Sequence, residues 1–201
     1  MQGVMLWAAS LVAIAVPAAF ALTSPLLQWR DPVYILAGFA GVVGMALLLF
    51  QPLLVGGHMP GLAGKRGRLA HRVVGAALVL AIVVHVVGLW ITSPPDVVDA
   101  LLFLSPTPFS AWGVIAMWAV FAAAMLGVLR RRMGSRLRLW RMLHSALAVV
   151  IVLGTVVHAV QIQGTMEPVS KGILAAAILL ALGRVLLDRR VWALLPVLRQ
   201  R

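Results

Sequence analysis

Long apolar runs, separated by short polar interruptions, make up almost the whole chain. Six runs lie near residues 4–22, 32–54, 69–91, 109–129, 140–161 and 169–187. Each approaches or exceeds the length a helix needs to cross a bilayer, about 20 residues at about 1.5 Å per residue. The interruptions hold turn-forming residues: Ser24-Pro25, Gly56-Gly57 with Pro60 and Gly61, Pro94-Pro95 with Pro106 and Pro108, Gly134-Ser135, and Pro168. This pattern predicts an all-α integral membrane protein, a six-helix bundle forming a single domain over residues 1–201.

Composition supports lipid as the solvent. Hydrophobic residues make up 63% of the 201 and charged residues 11%, against about a quarter charged in ordinary globular chains. Mean hydropathy is +1.05. The first run ends in Ala19-Phe20-Ala21, similar to a small-residue cleavage site, but Met1-Gln2-Gly3 supplies no basic segment before it. It is therefore read as a retained helix.

The formal net charge of +12 does not signal nucleic acid, because the basic residues sit between apolar runs, where topology explains them. Lys65, Arg66, Arg68 and Arg72 surround the second interruption, and Arg130, Arg131, Arg132, Arg136, Arg138 and Arg141 the fourth. Arg184, Arg189, Arg190, Arg199 and Arg201 lie near the end. Of 17 Lys and Arg, only Arg30 and Lys171 remain for the opposite side, which also takes Asp31, Asp96, Asp99 and Glu167. Under the positive-inside rule both termini are cytoplasmic, in a multi-pass protein of the inner (cell) membrane surrounded by membrane lipid.

With no cysteine, disulfides, iron–sulfur clusters and haem attached through Cys-x-x-Cys-His are excluded. A metal centre must rest on His, Met or carboxylate. His71 and His85 are 14 residues apart in the third run, and His144 and His158 are 14 apart in the fifth. Fourteen residues at about 100° each fall about 40° short of four turns, so each pair shares a helix face, about 21 Å apart along the axis. Both runs travel from inside to outside. His71 therefore matches His144 at an inner level, and His85 matches His158 at an outer one.

Two histidines so far apart on one helix cannot share an ion, and zinc asks for three or four protein ligands. Haem asks only for axial ligands, because its macrocycle supplies four nitrogens. One imidazole from each helix at each level points to two b-type haems (heme b) between the third and fifth helices. Those helices must then stand further apart than the usual spacing of about 8–10 Å, as diagonal partners. The alternative is a set of buried polar residues bonded to neighbouring helices or relaying protons.

His71, His85, His144 and His158 are thus the expected iron ligands. Arg68, Arg72, Arg138 and Arg141 flank the inner pair and are expected to meet haem propionates or to serve topology alone. Gly75, Gly88 and Gly154 lie near the histidines, where small residues admit either a flat macrocycle or a close helix. His58 has no partner at either level and reads as interfacial and structural. Trp90, Trp112 and Trp140 sit near span ends, as an aromatic belt requires.

The chain resembles the ferric reductase-like transmembrane domain family, the superfamily of ferric reductases, NADPH oxidases and the MsrQ haem subunit. The resemblance covers most of the chain. It is carried by the six runs, by Arg68-Leu-Ala-His71 through His85-Val-Val-Gly88, and by Trp140-Arg-Met-Leu-His144 through His158. It implies an inner haem on His71 and His144, an outer haem on His85 and His158, and electrons passing from a cytoplasmic flavin to the far face. Larger members of that superfamily continue into FAD- and NAD(P)H-binding domains. No Gly-x-Gly-x-x-Gly fingerprint occurs here, so a flavin would sit on a separate partner protein, and quinol is the other donor.

The function expected is transmembrane electron transfer, as the haem-binding membrane subunit of an oxidoreductase. The donor would be a cytoplasmic flavoprotein reductase or quinol, and the acceptor a periplasmic protein or ferric iron. A quinol-linked dihaem cytochrome b subunit of a dehydrogenase shares the ligands but requires a quinone pocket. A non-redox transporter or proton channel would leave the protein colourless.

Overall fold

The computed structural model describes residues 2–134 and 136–188; Ser135, Arg189, Arg190, Arg199 and Arg201 lie outside the described residues. Among the described residues the regular structure is entirely helical. The helices are α1 (Gln2–Leu22), α2 (Pro32–Gly56), α3 (Gly64–Thr92), α4 (Pro94–Leu101), α5 (Pro108–Leu129), α6 (Leu137–Gln161) and α7 (Pro168–Asp188). Short 3-10 turns occupy Pro25–Leu27 and Arg130–Met133. All but α4 are long and apolar enough to cross a membrane, and they coincide with the six predicted runs. α3 starts at Gly64 and α6 at Leu137, earlier than hydropathy alone places them, because helical backbone continues into the basic segments.

Proline sets the helix starts. Pro32, Pro94, Pro108 and Pro168 each stand at a first turn, where the missing N–H is no loss. Asp31 Oδ1 accepts from the backbone N–H of Val33 at 2.7 Å and Tyr34 at 3.4 Å. Glu167 caps α7 in the same way, through Val169 at 2.8 Å and Ser170 at 2.6 Å. Gly57 ends α2 at φ +75°, a left-handed conformation that glycine adopts without a Cβ penalty. The eight-residue α4 was not foreseen. Pro94-Pro95 reads as a breaker in sequence but here occupies the first turn of a short helix.

Packing divides the bundle into two hairpins. α2 runs antiparallel along α3 and α5 along α6, whereas α3 and α6 have no comparable contact with each other. α7 packs on both α2 and α6, α3 touches α5, and α1 lies outside against α7 and α2. The buried side chains between these helices include Met45, Leu48, Leu78, Val120, Ile151, Leu174 and Ile178. Outward-facing apolar residues such as Val4, Val128 and Leu180, each more than 70% exposed, suit a lipid surround.

Glycine sets how closely the hairpin helices approach. A Cβ on Gly88 would stand 2.7 Å from the Ala37 Cβ, and one on Gly154 would stand 3.0 Å from the Trp112 carbonyl. Gly75 faces the Gln51 side chain, 3.5 Å from its amide nitrogen. Gly88 and Gly154 therefore serve helix packing, which in lipid relies on van der Waals contact, whereas a side-chain Cβ at Gly75 would make an ordinary contact. At the end opposite the arginines, Lys171 is buried, and its Nζ donates to the Ile162 carbonyl at 2.7 Å.

These contacts predict that Gly88→Ala lowers stability by about 1–3 kcal/mol through overpacking. Gly127→Ala, where nothing lies within 4 Å, should be neutral or slightly stabilising. Thermal unfolding of the two variants in one detergent checks the contrast; equal melting would contradict it.

Candidate functional site

The two hairpins bring the four predicted histidines together in two pairs, as the spacing requires. His71 and His144 have ring centroids 6.2 Å apart at an interplanar angle of 75°. His85 and His158 have centroids 6.5 Å apart at 84°. Two imidazoles on opposite sides of one metal, with metal–nitrogen bonds of about 2.0 Å, have centroids roughly 6.3 Å apart. Both pairs match that spacing. Among the described residues no group of three His, Asp or Glu side chains forms an ion site. Each level thus offers two ligands, which suits a group that brings its remaining ligands with it.

Three of the rings are fixed by backbone from the neighbouring helix. His85 Nδ1 lies 2.8 Å from the Ala37 carbonyl of α2, and His158 Nδ1 lies 2.8 Å from the Phe109 carbonyl of α5. His71 Nδ1 lies 3.3 Å from the Gln51 carbonyl, also on α2. A carbonyl accepts only, so Nδ1 is the protonated nitrogen and Nε2 keeps the lone pair a metal needs. Such a bond orients a ligating imidazole and raises its basicity.

Each of these carbonyls already accepts a bond within its own helix, from the residue four positions on. It is reached most closely by an outside donor where the overlying turn is bare. Gly41 provides that opening above Ala37: a Cβ there would stand 3.2 Å from His85 Nδ1. Gly113 does so above Phe109, where a Cβ would stand 2.6 Å from His158 Nδ1. Val55 occupies the same position above Gln51, and there the contact is longer. Neither Gly41 nor Gly113 was singled out from sequence. The available signal was a glycine in each intervening span at the depth of the outer histidines.

His144 is held differently. Its Nδ1 is buried without a hydrogen-bond partner among the described residues, and its ring stacks on Trp140, with centroids 5.1 Å apart and planes 9° apart. Trp140 Nε1 donates to the Leu126 carbonyl at 2.8 Å, and the Arg130 guanidinium lies 5.2 Å from the centre of the Trp140 ring. Trp140, read from sequence as part of an aromatic belt, is thus a wall of the inner pair.

Arg68 and Arg72 on α3, and Arg138 and Arg141 on α6, are exposed at the helix ends that carry His71 and His144. His58 belongs to neither pair. It follows the end of α2 and places Nε2 3.3 Å from Asp188 Oδ2 at the end of α7.

A family model described as the ferric reductase like transmembrane component matches residues 37–155, more than half of the chain. The chain belongs to this family. No curated protein and no solved structure matches it. The segment matched as ferric reductase-like opens at Ala37, whose carbonyl faces His85, and includes His71, His85 and His144. His158 follows just beyond it. Ferric reductase-like proteins typically bind haem.

The glycine openings predict a graded response. Gly113→Ala should displace His158, at a cost of about 1–3 kcal/mol. Gly41→Ala, with its more distant ring atoms, should cost less. Thermal unfolding in one detergent measures both, and an unchanged melting point in Gly113→Ala would refute the steric argument.

Proposed function

We propose that this ferric reductase-like protein is a transmembrane electron-transfer subunit in which two b-type haems are held in series. His71 and His144 hold one, and His85 and His158 the other. The observation that carries the reading is the pair of imidazole gaps, 6.2 and 6.5 Å, each the width of one bis-imidazole metal. When bound, haem supplies an iron that gains and loses single electrons. The chain would supply the rest: the Nε2 atoms of the four histidines to hold iron, backbone carbonyls that fix the rings, and apolar helices that keep water away. Two protein imidazoles for each iron would disfavour oxygen binding and favour electron transfer without bond formation.

Arg68, Arg72, Arg138 and Arg141 are exposed cations beside the inner pair and serve as partners for propionates. The asymmetry of basic residues supports an orientation with both termini in the cytoplasm. Electrons then enter at His71 and His144 from a separate flavoprotein reductase or from quinol. They leave beyond His85 and His158 to a periplasmic acceptor protein or ferric iron. A proton channel is disfavoured by the same carbonyls, because three rings have Nδ1 committed to backbone and cannot pass a proton from one nitrogen to the other without breaking that bond.

The test is a dithionite-reduced minus oxidised spectrum with the haem-to-protein ratio. The expected result is a low-spin b-type spectrum at about two haems per chain, falling to about one in His85→Ala and in His158→Ala. A colourless protein after haem-replete expression would sink the reading.

A further inference from the structure

Between α5 and α6 the chain passes through the 3-10 turn Arg130–Met133, which opens with three consecutive arginines. Sorting positive charge to one side of a membrane explains their sign but not their arrangement. Arg130 and Arg131 line a cavity of about 250 Å³, together with Gly134 and Leu137. That lies below the range of about 300–1,000 Å³ typical of small-molecule sites, and suits one compact polar group rather than a whole cofactor. Gly134 turns the chain at φ +44°, a conformation glycine adopts without a Cβ penalty, and a Cβ there would face open space.

The chain does not balance this charge itself. No Asp or Glu occurs between Asp99 and Glu167, and among the described residues no ion pair reaches Arg130 or Arg131. Arg130 is nonetheless held in place. Its guanidinium lies 5.2 Å from the centre of the Trp140 ring, and Trp140 Nε1 is itself bonded to the Leu126 carbonyl at 2.8 Å. A guanidinium on an aromatic face still offers its N–H fork to a phosphate, and holding it beforehand lowers the entropy that binding would cost. Arg131 supplies a second fork. Two such forks around a small cavity fit an oxyanion with an uncompensated negative charge.

The surface beside the cavity selects among oxyanions. Met125 and Val128 on α5 are each more than 60% exposed, and their three-residue spacing continues to Arg131, so one stripe runs from apolar to cationic towards the end of the bundle. Leu137 adds an exposed apolar side chain at the cavity itself. A phospholipid in the bilayer has the same order, with acyl chains in the apolar region and phosphate at its edge. A zwitterionic head group brings its own cation, which the arginines repel, whereas an anionic one does not. We infer that this cavity binds the phosphate of an anionic phospholipid through Arg130 and Arg131, with an acyl chain along Met125 and Val128. The site is independent of whether iron occupies the histidine pairs.

The experiment titrates the full chain in detergent with dioleoylphosphatidylglycerol, and separately with dioleoylphosphatidylethanolamine, and counts bound lipid per chain by native mass spectrometry. Wild type should bind the first phosphatidylglycerol about 10-fold or more tightly than phosphatidylethanolamine. Arg130→Gln with Arg131→Gln should weaken phosphatidylglycerol binding by about 30-fold, at about fivefold for each arginine lost. Lys65→Gln with Arg66→Gln removes the same charge from the other basic segment and should bind as wild type does. Arg131→Gln alone leaves the Trp140 contact intact and should show the fivefold loss even if the double variant does not fold. Equal losses in the two double variants, or equal wild-type affinity for the two lipids, would overturn the inference. So would displacement of phosphatidylglycerol by millimolar inorganic phosphate, which would assign the cavity to a soluble anion.

Discussion

A helix carbonyl bonded within its own helix keeps a second lone pair, and the arrangement of this bundle depends on that spare acceptor. A buried imidazole N–H left without a partner costs about 1–3 kcal/mol. Ala37 and Phe109 supply the partner for His85 and His158 from helices that already pack beside them. For bonds as short as these to form, the helices must come close and the turn above the carbonyl must be bare. Gly88 and Gly154 satisfy the first condition, and Gly41 and Gly113 the second. Helix packing and ring orientation are therefore one structural solution, repeated in the two hairpins.

The inner level departs from this symmetry. His71 meets its carbonyl at the longer distance of 3.3 Å, and His144 is supported through its face by Trp140 rather than through Nδ1. A ring that donates to a carbonyl is the more basic ligand. The outer pair therefore offers the stronger donors, while the inner pair lies beside the exposed arginines. Both differences act in the same sense: for a metal held there, weaker donation and nearby positive charge would each favour the reduced state at the inner level. The two sites are chemically distinct although each consists of two histidines.

Much of this was legible in the sequence. Six apolar runs of membrane length gave the spans, because hydrophobicity around a whole helix signals lipid contact without knowledge of its neighbours. Fourteen-residue spacing on two parallel spans gave the histidine levels, because helix geometry alone determines them. What stayed hidden depends on the rotation of one helix against another. Nothing in the sequence around Gly41 says that it faces His85, and Gly75, Gly88 and Gly154 could not be assigned between macrocycle and helix. The contact between His58 and Asp188 joins segments 130 residues apart and carries no periodic signal. α4 was missed because paired prolines mark a helix start as readily as a break.

Two acceptors on α2, at Ala37 and Gln51, serve two histidines on the antiparallel α3, at His85 and His71. The intervals are equal, so the two helices act as matched rulers. One residue inserted between positions 37 and 51 would turn one carbonyl about 100° away from its ring and shift it by about 1.5 Å. No rotation of the whole helix restores both contacts. Length change is thus barred from the middle of α2 and α3 more strictly than side-chain change, and insertions are tolerable only in the connecting loops.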